Sequence, residues 1–184
     1  MIYVLAGKHS SGKGYLLSEI TKKFSNLERV PFIRSRPQRG NEVNTKQTPF
    51  CTNLQFEKMI KNGEILLYEQ FLTDGQMYYY GIHKNALSNP KKDYVLELSP
   101  MGIEQLKLAF DDVKVIFIYT IPIEREDRYI KRGGVYTKKE FDDREFRDAP
   151  QFNKLKWDYF IINSVFDKDN AMNEITKIIK GGGK

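Results

Sequence analysis

The chain has 184 residues, 40% of them hydrophobic, and a net charge of +6, which suits one compact α/β domain with a small inserted subdomain. Its one cysteine, Cys51, excludes an internal disulfide and fits a reducing compartment, and its two histidines lie too far apart in sequence to suggest a zinc site. No apolar stretch is long enough to cross a bilayer, so no membrane partner is expected. The positive balance has three readings, a basic surface with no partner, nucleic acid, or a cleft that gathers arginines around a polyanion, and the Gly7–Lys13 motif below favours the cleft over nucleic acid.

Met1–Ala6 is a continuous apolar run. It has neither a basic flank nor a cleavage pattern, so it reads as a buried strand and not a signal peptide, and a cytoplasmic location is expected. Tyr15–Ile20 reads as a helix, and Leu27–Phe32 leads into a second strand. Residues 34–42 form a polar, turn-rich loop, in which Arg36 is pushed to extended geometry by Pro37. Leu54–Asn62 has helical spacing at Leu54, Phe56, Met59 and Ile60, and Gly63 stops it. Ile65–Phe71 and Met77–Ile82 read as two strands joined by a turn at Thr73-Asp74-Gly75, so 47–80 is a candidate inserted α+β subdomain.

The core then resumes with a short helix at Lys84–Leu87, a buried strand at Asp93–Leu98, an amphipathic helix at Pro100–Phe110 and a buried strand at Val113–Tyr119. Ile123–Lys131 is a charge-rich helix, Gly133-Gly134 marks a loop, and Thr137 caps a helix over Lys138–Arg147. Tyr159–Ile162 is the last strand and Asn170–Ile179 the closing helix, followed by a frayed tail at Gly181–Gly183. Strands alternating with helices imply an α/β fold of three layers around a mostly parallel sheet.

Three groups of residues carry chemistry. Gly7-Lys8-His9-Ser10-Ser11-Gly12-Lys13 has the spacing G-x-x-x-x-G-K between an apolar strand and a helix. Glycines let backbone N–H groups close around a phosphate at a helix N-terminus, and Lys13 adds a mobile charge for the β- and γ-phosphates. The hydroxyl that normally follows, and that holds Mg²⁺, is missing at Gly14. Arg36 and Arg39 sit three apart on a loop and can fork around one phosphate; Glu42, Glu69 and Tyr80-Gly81 follow. Arg128 and Arg132 share a helix face, and Arg144 lies beyond a glycine loop, an arrangement suited to a lid over a migrating phosphoryl group.

Together these residues resemble the guanylate kinase family over almost the full length and in the family's order. Gly7–Lys13 resembles its phosphate loop, and Arg36-Pro37-Gln38-Arg39-Gly40-Asn41-Glu42-Val43-Asn44 its GMP-binding run. Glu69 with Tyr80-Gly81, Val95-Leu96-Glu97 with Gly102, Arg128 with Arg132-Gly133 and Arg144, and Trp157 to Asn163 resemble its remaining motifs.

The resemblance implies a P-loop NTPase fold divided into a core (1–33, 84–125 and 157–180), a subdomain for the nucleoside monophosphate (34–83) and a helical lid (126–156). It implies ATP contacts from Gly7, Lys8, His9, Ser10, Ser11, Gly12, Lys13, Gly14 and Asn163. Acceptor contacts are implied for Arg36, Arg39, Glu69, Tyr80 and Glu97, with Glu69 accepting from guanine N1 and N2. Lys13, Arg36, Arg128, Arg132 and Arg144 would stabilise charge during ATP-dependent phosphoryl transfer to GMP or dGMP. Mg²⁺ would arrive with the nucleotide and have no direct protein ligand.

The departures from the family cluster at the two ligands. Gly14 lacks the hydroxyl, and Ser99 replaces a second acidic residue. Thr48 replaces a phosphate-binding tyrosine, with Phe50 two residues on, and Phe32 replaces a serine. Ile82 stands where a hydroxyl contacts guanine O6, a contact able to decide specificity. Tyr78 and Tyr79 serve base stacking or strand packing. Two other readings stand beside the kinase: a guanylate-kinase-like module that binds a nucleotide or protein without catalysis, and a kinase for another nucleoside monophosphate. The amphipathic helices do not distinguish monomer from homodimer.

Overall fold

The computed structural model describes the chain except residues 39–41, 47, 74, 132–136, 168 and 182–184. Five strands form the main sheet: β1 (Ile2–Ala6), β2 (Leu27–Arg29), β6 (Asp93–Glu97), β7 (Val113–Tyr119) and β8 (Tyr159–Ile162). Their order is β2-β6-β1-β7-β8, and every pairing is parallel. The central strand β1 is buried along its whole length, which explains why its sequence is apolar without alternation. Its side chains still divide by the period of two. Ile2, Val4 and Ala6 join one buried cluster with Ile103 and Leu106 of α3 (Pro100–Ala109); Tyr3 and Leu5 join another with Leu16, Leu17 and Ile20 of α1 (Lys13–Lys23) and Ile175 of α6 (Asn170–Gly181). The sheet is thus the middle of three layers.

A second sheet, ordered β3-β5-β4, is antiparallel and stands apart from the first. It comprises β3 (Ile33–Arg34), β4 (Ile65–Thr73) and β5 (Gln76–His83). One of its faces is covered by α2 (Asn53–Lys61), where Tyr79 stacks on Phe56 at 5.1 Å. Tyr79 therefore serves strand packing. Thr52 and Gln55 close α2 with reciprocal backbone bonds of 3.2 and 2.8 Å, a capping box.

Two expectations are corrected. Leu27–Phe32 is not a continuous lead-in to one strand: β2 stops at Arg29, and the chain crosses to the second sheet before β3 begins. The short helix at Lys84–Leu87 keeps those bounds, and its specific form, left open by the sequence, is 3-10. The helix capped by Thr137 runs to Lys154 rather than Arg147, as α5 (Lys138–Lys154), passing through Pro150 and carrying Phe152 onto Phe117 at 6.0 Å. Before α5 comes α4 (Pro122–Lys131).

Candidate active site

The loop between β1 and α1 is built from local backbone geometry. Gly12 has φ +90°, and a Cβ there would collide with the Asn163 amide and stand 3.2 Å from an Arg128 guanidinium nitrogen. Only glycine admits both neighbours. Ser10 also takes a left-handed φ, +57°, and is 2% exposed, with no partner for its Oγ. The Lys13 ammonium folds over the loop and donates to the carbonyls of Gly7 (2.7 Å) and Lys8 (2.9 Å).

The loop is held from the ends of β7 and β8. Asn163 donates its side-chain amide to the Ser11 carbonyl at 2.7 Å. The Thr120 hydroxyl lies 2.8 Å from the Asn163 carbonyl and 3.2 Å from that of Ser11. Arg128 donates to the Asn163 carbonyl (3.0 Å) and to Glu124 (3.3 Å). Glu124, itself buried, also accepts from the Ser164 hydroxyl and the Val165 N–H.

A second brace comes from α5. Glu145 accepts from Lys8 in the loop at 3.1 Å and from both terminal nitrogens of Arg125, which is 3% exposed. Arg125 in turn donates its Nε to the Thr120 carbonyl at 2.9 Å. Burial alone would raise the Glu145 carboxyl, but hydrogen bonds from Arg125 and Lys8 outweigh it and hold the group at about 2. His9 packs edge-on against Phe141 (4.9 Å) and Tyr129 (5.8 Å). Its Nδ1 stands 3.6 Å from Glu145, too far for a hydrogen bond. Burial lowers its pKa to about 4; Glu145 opposes that shift and Arg125, Arg144 and Lys13 add to it, so His9 is neutral at pH 7.

On the second sheet, Arg36 is 7% exposed and almost fully spent. It donates Nε to the Tyr80 hydroxyl at 2.7 Å and forks onto both Glu42 oxygens at 2.6 and 2.7 Å. Those bonds to Glu42 raise its pKa, so the guanidinium is permanently charged. Glu69 stands directly across β5 from Tyr80. Its carboxylate is buried against the start of α3, beside Ser99 and Gly102, whose N–H donates to the Ser99 hydroxyl at 3.2 Å. Burial raises the Glu69 pKa, and the polar groups of Ser99 and Gly102 oppose the rise. A Cβ on Gly102 would collide with the Glu69 carboxylate, so the missing side chain makes this approach possible. A cleft of about 490 Å³ beside Arg36 is lined by Gln38, Phe50, Gln55 and Tyr78 among others.

The two halves meet at one edge of the molecule. Glu69 is tied to the loop after β6, the phosphate loop follows β1, and β6 pairs with β1, so both open at the carboxyl edge of the parallel sheet. That is where α/β sheets bind ligands. Glu97, half-buried at the end of β6 and paired with Leu5, stands at the same edge.

The family model described as guanylate kinase matches residues 1–181. The chain belongs to the guanylate kinase family. It is 29% identical to the guanylate kinase of Carboxydothermus hydrogenoformans over 97% of this chain and 87% of that one. It is 27% identical to that of Bdellovibrio bacteriovorus over 96% and 95%. The crystal structure of guanylate kinase from Anaplasma phagocytophilum superposes with a TM-score of 0.70 at 21% identity, covering 98% of this chain and 85% of that one, and shares the fold.

Measured against the family pattern, the structure brings together Gly7 to Lys13, Arg128 and Asn163 on one side and Arg36, Tyr80 and Glu69 on the other. Arg39 and Arg132 lie outside the described residues. Arg144 donates to Glu140 on its own helix at 2.8 Å and lies 5.6 Å over the Tyr129 ring, and its charge is felt at His9 of the phosphate loop. Asn163 holds the loop backbone rather than presenting a free amide. Thr48 forms a turn with Thr45. Ile82 is fully buried in the cluster of Leu67, Leu87 and Leu98, and Phe32 packs on the same cluster, so both are packing residues. Sequence reasoning missed Thr120, Glu124, Arg125, Glu145 and Arg34. Only the Glu124–Arg128 pair left a signal, its i,i+4 spacing on one helix.

Proposed function

We propose that the protein transfers the γ-phosphoryl group of ATP to GMP or dGMP. The observation that carries this reading is the shared edge: a phosphate loop with its lysine, and a separate sheet whose buried arginine and buried carboxylate face the same carboxyl end. A phosphate loop alone fits any nucleotide hydrolase. A second site with a fixed cation for an acceptor phosphate and a fixed anion for a base edge is what a nucleoside monophosphate kinase needs.

The residues divide the work. Loop N–H groups take the ATP phosphates, and Lys13 moves from the Gly7 and Lys8 carbonyls to phosphate oxygens. Arg36, held by Tyr80 and Glu42, receives the acceptor phosphate. Glu69, its pKa raised by burial against the opposing pull of Ser99 and Gly102, would accept from guanine N1 and N2. Arg128 stands against Gly12 and Asn163, placed to neutralise charge on the transferring group. Catalysis is then positioning and electrostatics with no covalent intermediate.

The donor set fits a metal that travels with the nucleotide. Among the described residues no group of three acidic, histidine or cysteine side chains forms a cage, and Gly14 offers no oxygen. Mg²⁺ tolerates this because it keeps several waters and takes phosphate oxygens, and Glu97 would hold one of those waters. When bound, Mg²⁺ would supply charge neutralisation for the phosphoryl group in transit.

An ADP-release assay with ATP and Mg²⁺ against GMP, dGMP, AMP, CMP, UMP and dTMP tests the reading. Turnover confined to the guanine nucleotides is expected. Folded protein that binds GMP without turnover would point instead to a binding module, and preference for another base would make the protein a different kinase.

A further inference from the structure

Arg34 carries an observation that the acceptor site as described leaves unused. In the second sheet Arg34 pairs directly with Tyr80, and Tyr80 with Glu69, so the three side chains form one row across one face. Arg36, two residues further on, has its guanidinium at the Tyr80 hydroxyl. Arg34 and Arg36 also converge on the Phe50 ring, 5.9 and 5.4 Å from its centroid. The backbone of Arg34 is locked from both sides: its N–H donates to Pro49 at 3.0 Å, and its carbonyl accepts from Cys51 at 3.0 Å.

The two guanidinium groups differ in what they touch. Arg36 is spent on Glu42, Tyr80 and Pro37. Arg34 makes one long hydrogen bond, 3.3 Å to the Phe32 carbonyl, and among the described residues no carboxylate pairs with it. It is half-buried, and burial and the Arg36 charge both lower its pKa, while Tyr80, Glu42 and Glu97 oppose that shift. A partly desolvated cation beside a like charge is costly unless an anion completes the site.

We propose that Arg34 is a further guanidinium of the acceptor-phosphate clamp, binding the 5′-phosphate of the nucleoside monophosphate together with Arg36. This rests on the acceptor-site reading above. Arg34 supplies the donors that Arg36 has committed to Glu42. It acts on the phosphate and leaves the base to Glu69.

The test is titration calorimetry of wild type, Arg34→Gln and Arg34→Lys with GMP and with guanosine, alongside steady-state kinetics. Arg34→Gln is expected to weaken GMP binding about 10–100-fold, the size of a charge-assisted contact, and to leave guanosine affinity unchanged. KM for GMP rises while KM for ATP holds, and Arg34→Lys recovers part of the loss. The thermal midpoint of Arg34→Gln stays level or rises, because an unpaired charge has been removed, whereas a purely structural residue would lower it. Equal losses for GMP and guanosine, or no loss for GMP, overturn the proposal while the acceptor site stands. A wild type that binds no nucleoside monophosphate overturns the site itself, and this proposal with it.

Discussion

Glu145→Gln removes the charge that joins the phosphate loop, α4 and α5 while keeping the side chain's shape. In wild type the carboxyl lies at about 2 against an ordinary 4.5. A carboxyl lowered from 4.5 to about 2 makes the anion worth at most about 3 kcal/mol to the fold. Arg125 is 3% exposed but Glu145 20%, so solvent screening takes part of that figure. Removing one partner leaves the Arg125 cation buried, which costs about 3–5 kcal/mol in a fully buried pair. A loss of about 2–3 kcal/mol is therefore expected in urea unfolding at pH 7. The acid limb gives an independent check. Glu145 has a depressed folded pKa, so its contribution is complete above 4.5 and disappears as pH falls towards 2. His9 is depressed from 6.5 to about 4; below 6.5 the unfolded chain takes the proton first, so stability also falls with pH between 6.5 and 4. Wild type loses stability in two successive windows, and Glu145→Gln keeps the upper and flattens the lower. A variant within about 0.5 kcal/mol of wild type, the usual range for an inert surface change, with an unchanged lower limb, would refute the reasoning.

Lys13→Ala takes away the ammonium that folds over the phosphate loop; turnover falls about 10²–10³-fold with the fold intact by circular dichroism, as for other lost transition-state donors. Gly14→Ser places a Cβ where nothing lies within 4 Å, so it fits, gains up to about 0.5 kcal/mol of helix stability and lowers the Mg²⁺ concentration needed for half-maximal turnover. Ser10→Gly relieves a left-handed φ of +57° and an unpartnered buried hydroxyl, and raises stability in urea by about 0.5–1 kcal/mol.

Legibility followed the range of the interaction. The β1–loop–α1 unit was readable because an apolar run, two glycines and a lysine act within a few residues, and Tyr159–Ile162 was readable to the residue. Glu145 was not. Its partners lie 20 and 137 residues away, and its periodicity on α5 is that of any exposed acid. Arg34 read as part of a polar loop, because its meaning depends on pairing with Tyr80 across the second sheet. Ile82 was read for the hydroxyl it lacks, but its place in the Leu67–Leu87 cluster makes it a packing residue. The break between β2 and β3 was hidden because Val30 and Phe32, which pack on the core, sustain the apolar pattern while the chain changes sheets.

The most direct test of phosphoryl transfer is a single-turnover reaction of ATP labelled in its γ-phosphate with GMP, using wild type and Lys13→Ala. Wild type is expected to move the label into the β-phosphate of GDP, and the variant to move almost none. Label released as inorganic phosphate, or left in ATP by folded wild type, would contradict it.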